Sequence, residues 1–112
     1  MMVKEVVGMN KYGLEITPEI FSRSLKRNIN LIYKLLPMRE EGQDWQKPLE
    51  TILEELVGMN RLLVGLQSGL FPIICKLEGL FSLTDSSDMS LFRRTIFECL
   101  SLLSKLEYES IR

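Results

Sequence analysis

The sequence predicts an all-α protein, a small four-helix bundle-like domain with an N-terminal arm. Apolar residues recur at intervals of three and four in four successive segments, which is the period of an amphipathic helix. No segment after residue 16 shows the strict alternation of a half-buried strand. With 112 residues the chain suffices for one domain and is too short for two. We therefore treat 1–112 as one unit, with 1–16 as the arm and 17–112 as the bundle.

The first helix is predicted from residue 18 to residue 36. Thr17 and Pro18 are typical of a helix start, because threonine can accept a hydrogen bond from a first-turn amide and proline suits the first helical position. Pro37 is expected to end the helix. A polar connector follows, with Trp45 folded back over the edge of the core. The apolar face of this helix consists of Ile20, Phe21, Leu25, Ile29, Ile32, Leu35 and Leu36.

The second helix is predicted from Pro48 to about Ser68, and a short third helix is predicted over 72–83. Both carry apolar residues at helical spacing. Gly69 and Pro72 disfavour one unbroken rod, since a proline clashes with the carbonyl four residues before it. The pattern leaves open whether the two helices are continuous with a kink at Pro72 or separate.

The last helix is predicted over 89–109, after a polar loop at 84–88. Its core-facing residues recur at helical spacing. On its outer side we expect two exposed ion pairs one turn apart, Arg94 with Glu98 and Lys105 with Glu109. The core-facing residues are Phe92, Ile96, Cys99, Leu100, Leu103 and Leu106.

The arm before Thr17 contains two short apolar phrases, "VKEVV" and "YGLEI". They predict either two short strands around a turn at 8–11 or an extended arm that lies on the bundle. An isolated hairpin is marginally stable, so we expect the arm to pack on another surface, such as a second subunit. The tetrapeptide "VGMN" occurs in the arm and again in the second helix. Its two copies fall in different predicted elements, which indicates coincidence and a single candidate site.

The composition argues against an enzyme. The chain has no histidine, which removes the commonest general base and the usual ligand of catalytic zinc. Its two cysteines, Cys75 and Cys99, do not form a Cys-x-x-Cys motif. Cys99 falls on the core face of its helix, whereas Cys75 falls opposite the core face and is expected to be exposed or to face a second contact layer. No phosphate-binding loop, dinucleotide fingerprint or calcium loop is present, so we expect no cofactor and no metal.

The sequence also favours a cytoplasmic protein without a membrane segment. The N-terminus lacks the charged, apolar and small-residue regions of a signal peptide. The most apolar window, 62–75, stops at Lys76 and is shorter than the roughly 20 residues of a spanning helix.

A basic stripe on the first helix is the first candidate surface. Arg23, Lys26, Arg27 and Lys34 fall within about a third of the helical wheel, opposite the apolar residues. Such a stripe can contact the phosphates of a nucleic acid. The alternative is an ordinary solvated face, because the net charge of the chain is −1 and few aromatic residues accompany the stripe.

A glycine strip on the second helix is the second candidate surface. Gly58 and Gly65 lie at heptad spacing, Gly69 extends the strip, and Leu62 lies at its edge. Glycine is unfavourable inside a helix by up to about 1 kcal/mol, so this clustering suggests close approach of another helix. That helix can belong to a partner or to the same chain.

These features predict a non-enzymatic interaction protein, a small assembly or adaptor subunit that acts through protein contacts. A homo-oligomer is expected, with the glycine strip as its interface. The alternative is a nucleic-acid-associated accessory protein that uses the basic stripe.

Overall fold

The computed structural model describes residues 8–9, 15–16, 18–62 and 69–110 of the chain. Within these residues lie four α-helices: α1 Pro18–Glu40, α2 Gln46–Leu62, α3 Leu70–Gly79 and α4 Met89–Ser110. Two 3₁₀ turns, Leu80–Ser82 and Ser86–Asp88, connect α3 to α4. Two-residue strands, β1 Gly8–Met9 and β2 Glu15–Ile16, precede α1. The predicted fold class, an all-α four-helix bundle, is confirmed.

Helices α1 and α2 run in opposite directions. Ser24 Oγ of α1 lies 2.9 Å from Met59 Sδ of α2. One turn further along α1, Arg27 pairs with Glu55, which lies one turn earlier in α2. Contacts that advance along one helix while they retreat along the other define an antiparallel pair.

Helix α4 is antiparallel to α1 and lies on its other side. Ser22 Oγ, near the start of α1, donates to Glu107 Oε1 near the end of α4 at 2.8 Å. At the opposite end of the pair, Arg93 Nη2 donates to Glu40 Oε1 at 3.1 Å. The core face of α1 is therefore shared between α2 and α4.

Helix α3 is antiparallel to α4 and completes the bundle. Lys76 Nζ lies 3.1 Å from Glu98 Oε2, and Gly69, just before α3, lies beside Leu106 near the end of α4. Because α2 and α4 both oppose α1, and α3 opposes α4, successive helices alternate in direction. The result is an up-down-up-down bundle with short connections.

Helix α1 continues to Glu40, so its predicted end at Pro37 is wrong. Proline removes the amide that would bond to the carbonyl of Tyr33. Tyr33 and Pro37 are both exposed, so water can satisfy that carbonyl and the helix tolerates the loss. The chain leaves the helix at Gly42, whose φ of 75° is readily adopted only by glycine.

Helix α2 begins at Gln46, two residues before the predicted start at Pro48. The carboxylate of Asp44 accepts hydrogen bonds from the amides of Gln46 at 3.0 Å and Lys47 at 3.3 Å. These first-turn amides have no partner inside the helix, and an aspartate that binds them stabilises the helix start. Pro48 thus lies inside the first turn, where its missing amide costs little.

The chain breaks between α2 and α3 at Gly69 and not at Pro72. Helix α2 is described as far as Leu62, and its predicted end near Ser68 falls outside the described residues. Gly69 has a φ of 72°, in the left-handed region, so a right-handed helix cannot pass through it. Helix α3 starts at Leu70, so Pro72 lies in its first turn. The change of direction occurs at Gly69, and not as a kink at Pro72.

Helix α4 matches its predicted bounds to within one residue, but the ion pairs expected along it are wrong. Glu98 pairs with Lys76 of α3 and not with Arg94. Lys105 and Glu109 do not form an ion pair within the part of the chain that the structure describes. Glu98 lies beside a cation from a neighbouring helix, which the spacing along α4 alone does not reveal.

The core lies between the four helices and includes Trp45, as predicted. The Trp45 ring packs edge-on against Phe92 with 4.9 Å between centroids, and it stacks on Phe81 at 6.4 Å. Ile20, which was assigned to the core face of the first helix, is instead 50% exposed. The fully buried side chains include Leu25, Ile32, Leu35, Leu49, Ile52, Leu56, Leu70, Ile73, Leu77, Leu80, Phe92 and Ile96.

Strands β1 and β2 form a two-residue antiparallel ladder in which Gly8 pairs with Ile16 and Met9 with Glu15. Gly8 and Met9 therefore belong to a strand and not to the predicted turn at 8–11. The other arm residues lie outside the described part of the chain. Packing of the arm on a second subunit stays a prediction.

Candidate functional site

The basic stripe of α1 lies on the exposed side of the bundle. Arg23, Lys26, Arg27 and Lys34 are all exposed, opposite the buried face that contains Leu25. The helical wheel thus predicted correctly which side of α1 these four cations occupy. Whether they bind an anion depends on how many of the charges are already neutralised.

Two of the four cations are neutralised by acids from other helices. Arg27 pairs with Glu55 of α2, whose Oε1 also accepts a hydrogen bond from Ser24 Oγ at 2.8 Å. This pair was not predicted from the sequence. A signal was present, since Glu55 directly precedes Leu56 of the apolar face of α2, but its use requires the direction of α2 relative to α1.

The second neutralised cation is Lys26. Its Nζ lies 3.4 Å from Glu107 Oε1 of α4, the same oxygen that accepts the hydrogen bond from Ser22. Each acid is therefore held by one serine and one cation of α1. These two clusters tie α1 to α4 and, through Glu55, to α2, which makes them structural contacts.

Arg23 and Lys34 form no ion pair within the described chain. They are eleven residues apart, which corresponds to about 16 Å along the helix axis. Exposed Asn30 and Tyr33 lie between them. Two charges at this spacing can contact two separate anionic groups on an extended partner, but they do not form a pocket for a single anion.

The structure does not extend the glycine strip to Gly69. This residue lies outside α2, and a Cβ built on it would approach Leu106 Cδ2 of the same chain to 2.9 Å. Both its positive φ and this close intrachain packing explain the glycine. Gly58 lies within α2, and a Cβ there would meet nothing within 4 Å. Gly65 and the side chain of Leu62 lie outside the described residues, so the interface role of the strip stays a prediction.

The two cysteines occupy different environments. Cys75 is exposed on α3, one of the two positions expected for it, and Cys99 is buried in α4. Burial raises the pKa of the Cys99 thiol to about 12, with a smaller opposing effect from Lys76. A protonated, enclosed thiol is a poor nucleophile, so Cys99 acts as a small apolar residue of the core.

A cleft of about 550 Å³ opens at the end of the bundle where α1 turns into α2. The Arg39 side chain on its wall is already engaged. Its Nη2 donates to the Asp85 carbonyl oxygen at 2.7 Å, and its guanidinium carbon lies 4.4 Å from the Phe92 ring centroid. Arg39 therefore joins the end of α1 to the loop before α4 and to the first turn of α4. The residues lining the cleft are Arg39, Glu40, Gly42, Gln43, Trp45, Thr84, Ser86 and Met89.

The outer face of α4 carries large aromatic side chains that lie outside the core formed by the described residues. Phe97 is 49% exposed and Tyr108 is 60% exposed. Exposed Ser101 and Ser104 lie between them on the same side of the helix. We call Phe97, Ser101, Ser104 and Tyr108 the α4 seam. Sequence reasoning missed it because attention went to the core-facing residues, although the intervals of four, three and four are visible in the sequence.

Among the described residues no group of three or more histidine, cysteine, aspartate or glutamate side chains could hold a metal ion. Within the same residues no helix is both long enough and apolar enough to cross a membrane. The fold and these surfaces define a small all-α bundle with exposed contact faces. Comparison with protein-family models, with curated proteins and with solved structures finds no match to this chain.

Proposed function

We propose that this chain is a non-enzymatic interaction protein, a small subunit that acts through contacts between its helical faces and protein partners. The observation that carries the proposal is the α4 seam, where two large aromatic side chains are exposed outside the core that the described residues form. Aromatic side chains are enriched in protein interaction sites, and here two of them lie on one line of the same helix, about 16 Å apart along its axis.

The chemistry of the described side chains supports the same reading. The chain has no histidine, and its buried thiol is protonated. The cleft at the connector end has its cation, Arg39, committed to intrachain contacts. We also propose a cytosolic location, which the two unpaired thiols Cys75 and Cys99 favour.

The experiment that tests the proposal compares two molar masses. Light scattering gives the mass of the purified chain over a concentration series at physiological salt. Gel filtration gives the size of the tagged chain in an extract of cells that carry its gene. We expect at least one of the two to exceed the mass of a monomer, which is 13.0 kDa for the purified chain and 13.0 kDa plus the tag in the extract. A monomer in both would reject the proposed function.

The alternative function, nucleic-acid association through α1, has weaker support. Arg23 and Lys34, which are exposed and form no ion pair with the described residues, favour it, but Lys26 and Arg27 already bind acids of the bundle. The number of phosphates that a protein neutralises sets its salt-dependent affinity, and two free cations neutralise few.

A further inference from the structure

The side chains of the α4 seam are arranged so that a second copy of the helix, running in the opposite direction, would match them. Its four positions follow intervals of four, three and four, which is the heptad spacing of a coiled-coil contact line. Read in either direction along α4, the order of side chains is aromatic, small, small, aromatic. An antiparallel copy of the helix would place Phe97 against Tyr108 of the second copy, and Ser101 against Ser104.

The sizes of these side chains fit such a contact. The two serines in the middle let the helix backbones approach closely, while an aromatic pair closes each end. Phe97 and Tyr108 lie eleven residues apart, or about 16 Å along the axis, so both aromatic pairs form at once. Aromatic pairs stabilise a contact beyond the effect of the surface they bury.

The charges beside the seam are also complementary when reversed. Arg94, Glu98, Lys105 and Glu109 lie together on one flank, about 80° around the helix from the seam. Along the chain their signs alternate, beginning with a cation and ending with an anion. In an antiparallel pair the same flank of each helix meets its counterpart, so every cation faces an anion.

Arg94 and Glu109 are the decisive pair. Both are exposed, and neither forms an ion pair within the described chain. The register that joins the seam leaves Arg94 of one copy offset by about 3 Å along the axis from Glu109 of the other, within reach of an arginine. Lys105 and Glu98 have the same relationship, although Glu98 also contacts Lys76 of its own chain at 3.1 Å.

A parallel pair does not have this complementarity. It would set Phe97 against Phe97 and bring the charged flank against the opposite flank of the partner helix. That flank carries Arg93, Leu100 and Glu107. Arg93 is already bound to Glu40. Glu107 is already bound to Lys26 and Ser22. Opposite charges fix register and direction more than they add affinity, so they select the antiparallel arrangement.

From this pattern we propose that the partner of the α4 seam is a second copy of this chain, bound as an antiparallel two-fold dimer through α4. The inference rests on the proposed function and names its partner. One helix face buries less than the about 800 Å² per subunit of a standard interface, so the dimer is weak, with a dissociation constant in the micromolar range.

Charge reversal tests the register directly. The dissociation constant is measured by sedimentation equilibrium at about 50 mM salt for the wild type, Arg94→Glu, Glu109→Arg and the double variant. Each single change places like charges opposite each other and is expected to raise the dissociation constant at least tenfold. The double change restores both pairs and should return it to within about threefold of the wild-type value.

A second pair of variants tests the seam itself. Phe97→Glu is expected to give a monomer of 13.0 kDa with an unchanged circular dichroism spectrum. Phe71→Glu is the matched control, because Phe71 is 65% exposed on α3, away from the seam, and its replacement should leave the dimer intact.

The outcomes separate this inference from the proposed function. If the wild type is a dimer but no α4 variant weakens it, the inference is overturned and self-association through another face remains. A purified monomer at about 1 mM also overturns it, while a heavier complex in the cell extract would still support the proposed function. Single charge reversals that the double variant does not rescue exclude the antiparallel register.

Discussion

At the scale of single residues, two glycines that look equivalent in the sequence have different structural roles. Gly69 adopts a left-handed conformation against Leu106, whereas Gly58 lies in a regular helix with open space beside it. The sequence identifies both as unusual in a helix. It does not distinguish them, because the φ of a glycine and its neighbours in space are not encoded in local spacing.

We therefore expect opposite effects from the same substitution. Gly69→Ala should lower the free energy of unfolding by about 1–2 kcal/mol, since alanine is strained at a positive φ and its Cβ would displace Leu106. Gly58→Ala should raise it by up to about 1 kcal/mol, because alanine has the higher helix propensity. Urea denaturation of both variants measures these changes.

The Gly58 variant also tests the predicted interface. An unchanged oligomeric state in Gly58→Ala and in the bulkier Gly58→Leu would place no close helix contact at this position. Loss of assembly in Gly58→Leu with a normal fold would support the glycine strip as an interface.

The buried thiol of Cys99 makes stability depend on pH. Burial raises its pKa in the folded chain from 9.0 to about 12. Between these values the unfolded chain releases the thiol proton and the folded chain retains it, so the free energy of unfolding falls as pH rises. Below pH 9.0 this contribution to stability is fully present.

The measurement is the urea midpoint of the wild type and Cys99→Ala at several pH values from 8 to 11. Cys99→Ala is less stable than the wild type at all pH values because of the cavity it leaves. Its urea midpoint should, however, fall less steeply with pH, because the contribution of the Cys99 thiol is absent. Parallel curves for the two proteins would show that Cys99 does not titrate differently in the folded state.

At the scale of helices, the amphipathic pattern predicted well which segments are helical and which face of each is buried. It predicted the first and last residues of the helices less well. Helix α4 was predicted to within one residue because its limits are marked by a polar loop and a long apolar period. The start of α2 was missed because Asp44 binds the first-turn amides before Pro48. Proline was given too much weight as a terminator at Pro37, where solvent exposure lets α1 continue.

The basic stripe on α1 shows what cannot be predicted from the sequence of one helix alone, namely its ion pairs with other helices. The stripe was placed correctly, but the acids that neutralise Lys26 and Arg27 come from α4 and α2. Their approach depends on the direction in which the helices pack, which hydrophobic periodicity does not contain. The candidate nucleic-acid surface is smaller than the sequence suggested for this reason.

The remaining basic surface makes a quantitative prediction for nucleic-acid binding. If α1 binds duplex DNA through Arg23 and Lys34 alone, the logarithm of the association constant should fall with the logarithm of salt concentration at a slope of about −1.8. Fluorescence anisotropy with a labelled duplex at 20–150 mM salt gives this slope. Arg23→Glu with Lys34→Glu should then abolish binding.

A slope of about −3.6 would instead show that Lys26 and Arg27 leave their acids to contact phosphates. The matched control is Lys47→Glu with Arg61→Glu, two exposed cations on α2, which should leave binding unchanged. Absence of binding at 20 mM salt would remove this alternative function.

At the scale of the whole molecule, the fold class was predictable and the arrangement of surfaces was not. Four amphipathic segments joined by short connections strongly favour an antiparallel bundle. Which outer faces are left for partners depends on which helices become neighbours. The spacing of the α4 seam is present in the sequence, but only the structure shows that Phe97 and Tyr108 lie outside the core of the described residues.

A dimer linked to folding should make thermal stability depend on concentration. Above the dissociation constant, each tenfold increase in protein concentration stabilises the folded chain by about 0.7 kcal/mol. For a chain of this size we expect the midpoint of thermal unfolding to rise by about 2–5 °C per decade. Circular dichroism at 10 μM and 1 mM measures the shift, and Phe97→Glu should show none.

The antiparallel contact between α1 and α4 also determines when the molecule can fold during synthesis. Glu107 and Ser22 are joined by a hydrogen bond although 85 positions separate them in the chain. A ribosome that adds about 5–20 residues per second completes α4 roughly 4 to 14 s after α1. Throughout that interval the nascent chain displays Phe21, Leu25 and the other buried residues of α1 without their final neighbour. The vulnerable period of this protein is therefore its own translation, when α1 is exposed to chaperones and to neighbouring nascent chains.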